Sequence, residues 1–267
     1  MSRYVTKIAL AMTFAALLPS CFGAQVNTTR QGGPVALAYN FSQQAPQPAE
    51  TPDGQIVRPK VSLGQLVMTR GAVEVRGFHE PGDYAHRNYC GAGATQVLLS
   101  AWMPNVPNIE TVARASKLNP NRGEYGIDAV NAINGFLNPI VLPVLNQPRY
   151  KAEHVVSLDE VKARIQRDIL DQQAIVSFGH GVPVMVQTMT KTMPGWNRWN
   201  ATHMITIFAF DFSHNDPALD TVTYAETPSP LAGYRGPDFQ TITVKALWVA
   251  MQAYLREAAY DPMNVIS

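Results

Sequence analysis

The sequence predicts an α+β domain in which an early helix packs against an antiparallel sheet. Two patterns carry that expectation. Apolar residues recur at helical spacing through the first half of the apparent domain, and short β-branched runs separated by turn residues fill the second half. A third observation concerns chemistry. Of the two cysteines, Cys21 ends an export-like leader, which leaves Cys90 without a partner in the mature chain. Exported domains normally pair their thiols, so a lone one at the start of a helix calls for a chemical reason.

The leader spans residues 1–23. Arg3 and Lys7 give a basic start, Ile8 to Leu18 form an apolar stretch too short to cross a bilayer, and Pro19-Ser20 end it. Leu18-Pro19-Ser20-Cys21 resembles a bacterial lipobox, which would leave a lipid anchor on Cys21; cleavage after Gly23 would release a free protein. Both routes predict a secreted or envelope-anchored product. Residues 24–60, rich in Gln, Pro, Gly and Thr, read as a flexible linker, and residues 61–267 as the folded domain. No later segment reads as a transmembrane helix.

Within the domain, Val61, Leu63, Val73 and Val75 lie near period two and predict an entry strand or hairpin. From Cys90 to Trp102 the set Ala94, Val97, Leu98, Ala101 and Trp102 has helical spacing, with Pro104 beyond its end. Shorter helices are expected at Ile109 to Lys117 and at Ile127 to Asn134, the second stopped by Gly135. Ser157-Leu158-Asp159-Glu160 is a capping box, with Leu158, Val161, Ile165 and Ile169 as the buried stripe behind it. The strands Val182 to Val186, Met204 to Phe210, Thr221 to Ala225 and Thr241 to Val244 follow, and Ala246 to Leu255 closes the domain as a helix.

Composition narrows the function classes. With 46% hydrophobic residues among 267 the chain can fill one real core, and a net charge of +1 with 21 scattered basic residues argues against a nucleic-acid partner. His79, His86, His154, His180 and His214 show no metal-ligand spacing, and no cofactor motif is present. Ser177-Phe178-Gly179-His180-Gly181 lacks the full nucleophile elbow of serine hydrolases.

What remains is cysteine chemistry, which needs a thiolate, an imidazole to manage the proton and a third group to orient that imidazole. Cys90 stands in the first turn of its helix, where the dipole and unpaired backbone N–H groups favour a thiolate and can hold an oxyanion. His203 opens the strand Met204 to Phe210. A hairpin with Thr221 to Ala225 would set His203 opposite Glu226 on one sheet face, whereas a one-residue slip would separate them. Trp196 and Trp199 flank a polar segment just before His203 and read either as loop packing or as a cleft wall touching substrate.

These residues carry a family resemblance. Cys90-Gly91-Ala92-Gly93-Ala94, Gly181 to Val186, Thr202-His203-Met204-Ile205-Thr206-Ile207 and Tyr224-Ala225-Glu226-Thr227-Pro228 resemble, in order, the blocks of papain-fold cysteine peptidases related to the bacteriocin-processing (double-glycine leader) peptidases. The resemblance covers roughly residues 78 to 250. It implies a papain-like fold, a peptide or protein substrate, a thioester intermediate, Cys90 as nucleophile, His203 as base and Glu226 as orienting residue. Three positions depart from the pattern. Glu226 stands where Asp or Asn is common, Ala92 where Pro is usual, and Tyr84 where that family has a Gln that donates to the oxyanion. Tyr84, Asn88 or His86 are the side chains nominated to replace it. The same triad would also serve an acyl-transferase or a cell-wall amidase, and a decayed binding module is the rival from another class.

Overall fold

The computed structural model describes residues 68–196 and 200–267. The expectations placed on the export segment, Cys21, the linker, Val61 and Leu63, and Trp199 lie outside those residues. In chain order the elements are β1 (Arg70–Ala72), α1 (Cys90–Ser100), α2 (Ile109–Ala115), α3 (Gly126–Leu145), β2 (Ala152–Glu153), α4 (Leu158–Ile169), α5 (Gln172–Phe178), β3 (Val184–Met189), β4 (Thr202–Asp211), β5 (Thr221–Ala225), β6 (Phe239–Thr243), α6 (Val244–Glu257) and β7 (Val265–Ile266). The domain is α+β, with helices packed on an open antiparallel sheet. Its strands run β2-β7-β3-β4-β5-β6, and β1 pairs with the far end of β4.

Period two along β3 and β4 divides their side chains between two cores. Val184, Val186, Ile205 and Ile207 pack with Val161, Ile165 and Ile169 of α4 and with Leu247 and Met251 of α6. Met185 and Met204 point the other way, to Ala94 and Leu98 of α1 and Ile133 and Leu137 of α3. Both faces of these central strands are therefore covered, which is why they read as nearly unbroken apolar runs. Ile205, Ile207 and Leu98 are fully buried, so truncating any of them to Ala costs about 2–5 kcal/mol.

Helix α1 is fixed against β4 by composition. The Thr206 hydroxyl donates to the Ala94 carbonyl at 2.8 Å, locking the helix in register with the strand. A Cβ at Gly93 would come within 2.7 Å of Thr227 Oγ1, and one at Gly91 would collide with the Glu124 carboxyl. The glycines flanking Ala92 thus let the first turn approach two other segments closely.

Several expectations need correction. Helix α3 does not stop at Gly135 but runs to Leu145, with Pro139 and Pro143 inside it. Burial of Leu137 and Val141 beyond the glycine outweighs a helix-interior Gly cost of about 1 kcal/mol. The proline spacing helps, because the carbonyl crowded by Pro139 belongs to Gly135 and the one crowded by Pro143 belongs to Pro139. By length and composition alone this 20-residue helix could cross a membrane, but its Ala129, Val130, Ile133, Leu137 and Val141 face is core. Strand β3 starts at Val184 rather than Val182, whose N–H bonds the Asp168 carbonyl at the end of α4. Strand β6 ends at Thr243, and Thr243 caps α6 by accepting from the Ala246 N–H, so Val244 belongs to the helix. Helix α5 and the two-residue strands β2 and β7 lie outside the expected elements.

The hairpin register also differs from expectation. Thr206 lies opposite Ala225 and Ile207 opposite Tyr224, with a bulge at Phe208 before pairing resumes as Ala209 opposite Thr223. Continued past Ala225, that ladder sets Glu226 opposite Ile205 and diagonal to His203 by two residues. A two-residue offset preserves the face, so His203 and Glu226 still point the same way.

Candidate active site

His203 is the second residue of β4 and shares its face with Ile205 and Ile207, the α4/α6 side. Cys90 starts α1 on the other side of the sheet. They meet because both stand at the same end of β4, where the N-terminus of α1 reaches past the strand. One cavity is lined by Cys90, Gly91, His203 and Met204 together, and the Cys90 sulfur is close enough to His203 to favour a charge on the imidazole.

The imidazole is held from behind. His203 Nε2 lies 2.8 Å from Glu226 Oε2, with His203 at 3% and Glu226 at 0% exposure. That contact leaves Nδ1 for the thiol. Trp196 Nε1 donates to Glu226 Oε1 at 3.0 Å, and its ring meets the imidazole edge to face with centroids 4.7 Å apart. Both carboxyl oxygens of Glu226 are therefore engaged. Burial opposes a charge on His203, but the Glu226 carboxylate and the Cys90 sulfur outweigh it and hold its pKa up to about 10. The charged form of the ring is thus favoured by Glu226 on one side and by Cys90 as well.

Trp196 is itself only 3% exposed. Its N–H is committed to Glu226, so it is a positioning residue roofing the His203–Glu226 pair and presents little surface to a substrate.

The nominated oxyanion donors have other engagements. Tyr84 is 72% exposed, with its ring 3.8 Å from the Arg87 guanidinium carbon. Asn88 Nδ2 donates to the Pro120 carbonyl at 2.7 Å, and Arg87 Nη2 to Asn121 Oδ1 at 3.0 Å. These bonds fasten the turn that contains Arg122 and Gly123 to the segment preceding Cys90. His86 bonds Asp83 through Nδ1 and Glu110 through Nε2; both carboxylates, Asp83 first, raise its pKa.

Two buried carboxyls near the pair escaped the sequence reading. Glu80 is 4% exposed and lines a cavity of about 330 Å³ together with Cys90, Trp196 and His203. Its backbone N–H bonds the Thr227 carbonyl at 3.0 Å, just past Glu226. Glu124 lies against Gly91, and both of its carboxyl oxygens are shielded from solvent without a hydrogen-bond partner among the described residues. Burial pushes the pKa of each up to about 7. No local pattern marks either one, because their burial comes from segments distant in sequence. Among the described residues no group of three or more His, Cys, Asp or Glu side chains is placed to hold a metal ion.

The geometry equips the site for nucleophilic attack by sulfur with proton transfer through one imidazole. No protein-family model matches the chain, and no curated protein is detectably similar to it in sequence.

Proposed function

We propose that this chain is an exported cysteine peptidase of papain-like fold, cleaving peptide bonds through Cys90, His203 and Glu226. The observation that carries this reading is the buried His203 ring, bonded to Glu226 at 2.8 Å through Nε2 and sharing one cavity with Cys90 at the start of α1. A purely structural histidine has no need of a charged partner behind it and a thiol in front. The blocks that resemble papain-fold peptidases also fall on suitable elements: a helix start for Cys90, a strand start for His203 and a strand end for Glu226. The leader supports export.

In the reaction, Cys90 Sγ attacks the scissile carbonyl carbon and the electron pair moves to oxygen. His203 Nδ1–H then protonates the amide nitrogen as the C–N bond breaks, leaving an acyl thioester on Cys90 and a free amine. Water attacks the thioester with its proton passing to His203, and the carboxylic product departs as the thiolate re-forms. Glu226 stays bonded to Nε2 throughout, which fixes the ring plane and favours the charged form.

Cys90→Ala should abolish hydrolysis of labelled casein, a loss of about 10⁶-fold if the site works as a unit, without changing the circular dichroism spectrum. Undiminished cleavage by that variant would sink the mechanism. As a substrate-free check, iodoacetamide should alkylate Cys90 rapidly even in mildly acid solution, and His203→Ala should remove that reactivity.

A further inference from the structure

A thiol that attacks a carbonyl needs donors aimed at the oxygen that becomes negative. The backbone N–H groups in the first turn of α1 supply part of this. The Gly93 N–H already bonds the Tyr89 carbonyl, which leaves those of the preceding positions. A side-chain donor is the missing part: the Tyr84 ring is exposed at the rim, and the Asn88 amide is tied to Pro120.

We propose that Glu80, in its protonated form, is the side-chain donor of the oxyanion site, a role that rests on the cysteine-peptidase reading above. Glu80 is anchored beside the His203–Glu226 pair by its backbone bond to Thr227, and Thr227 in turn packs on Gly93 of the nucleophile's helix. Its side chain lines the cavity that contains Cys90 and His203. Among the described residues no Lys or Arg pairs with it; its carboxyl accepts from the Thr227 hydroxyl at 3.4 Å and from the Ser229 backbone N–H, and neither bond uses the proton of the acid form. A protonated carboxyl has the shape of a Gln amide and offers one O–H donor.

The charged and titratable groups around it fix the sign of the pH effect. His203 from β4 eases its ionisation, and Glu226 at the end of β5 opposes it. Cys90 from α1, with Tyr84, Arg87 and Arg122, completes the wall of the same cavity. Burial is the largest influence and keeps the proton on Glu80 up to about pH 7. Hydrolysis should therefore be fastest on the acid side of neutrality and fall above it, as Glu80 becomes an anion facing another developing anion.

Parent, Glu80→Gln and Glu80→Ala would be compared from about pH 5 to about pH 9 for casein hydrolysis and for alkylation of Cys90. Removing the donor in Glu80→Ala should lower hydrolysis by about 10²- to 10³-fold while alkylation by iodoacetamide stays within about threefold. Glu80→Gln keeps a donor with no charge to lose, so it should retain most activity and lack the parent's fall above neutrality. Hydrolysis by Glu80→Ala at the parent rate, or a Glu80→Gln profile identical to the parent's, overturns the proposal. If the parent alkylates rapidly but cleaves nothing, the peptidase reading fails instead. Glu80 is then judged on the ratio of iodoacetate to iodoacetamide rates. That ratio should drop through neutrality in the parent and stay level in Glu80→Gln; a level ratio in both overturns the placement.

Discussion

Glu226, at the end of β5, and Glu124, before α3, are carboxyls set against opposite sides of the Cys90–His203 contact, and their surroundings differ in one respect. Two N–H donors, from His203 and Trp196, converge on Glu226, whereas neither oxygen of Glu124 has a hydrogen-bond partner among the described residues. The Ser116 hydroxyl gives Glu124 only slight help, since it points to the Ala113 carbonyl. Burial, helped by the nearby Asp128 charge, therefore raises the pKa of Glu124 to about 7, while both oxygens of Glu226 are held by donors, one of them the His203 ring. A neutral carboxyl against the first turn of α1 does not compete there with a thiolate for the helix N-terminus.

The strongest way to break this contrast is Glu226→Gln. It removes the charge and keeps the shape, and kcat/KM should fall by about 10²- to 10⁴-fold with the fold retained. Stability should change too. The folded pKa of His203 is raised, so its contribution is complete below its ordinary value of 6.5 and is lost as pH rises through about 10. Thermal melts of the parent should decline across that window, and those of Glu226→Gln should be flatter. Equal slopes would mean that the carboxylate does not hold the imidazolium.

Glu124→Gln tests the other side. A carboxyl whose folded pKa lies above its unfolded value keeps its proton where the unfolded chain releases it. Stability is then lost as pH rises from 4.5 to about 7 and stays level beyond. The variant should remove that loss and be more stable than the parent by about 3 kcal/mol in mildly alkaline denaturant titrations. No gain would mean that the carboxyl finds a donor in solution.

Trp196→Phe sharpens the comparison by taking one donor from Glu226 while keeping a ring over His203. A loss of about 1 kcal/mol in stability, with a kcat reduction of a few fold at unchanged KM, is expected. Tyr84→Phe marks the lower end, since an exposed hydroxyl outside the donor set should leave kcat within about twofold of the parent. A hundredfold loss there would return the oxyanion role to Tyr84 and remove it from Glu80.

What the sequence made legible was what depends on local period. Cys90 at a helix start, and His203 and Glu226 on a common face, follow from helical spacing and strand parity. The offset of two residues in the hairpin did not follow, because the bulge at Phe208 leaves no mark in a run as uniformly apolar as Met204 to Phe210. Helix α3 outran its expected stop because a glycine signal is worth about 1 kcal/mol, less than burying Leu137 and Val141. Glu80 looks no different in the chain from Glu74. Its burial depends on Thr227 and Ser229, well over a hundred positions away, and only the folded protein brings those segments together.

The turn that carries Arg122 is fastened to the residues immediately preceding Cys90 by the Arg87–Asn121 and Asn88–Pro120 bonds. The cavity wall at Arg122 and Gly123 and the start of the helix that carries Cys90 are thus one mechanical part. On the peptidase reading proposed above, a segment seated against Gly123 would be carried with Cys90 rather than past it.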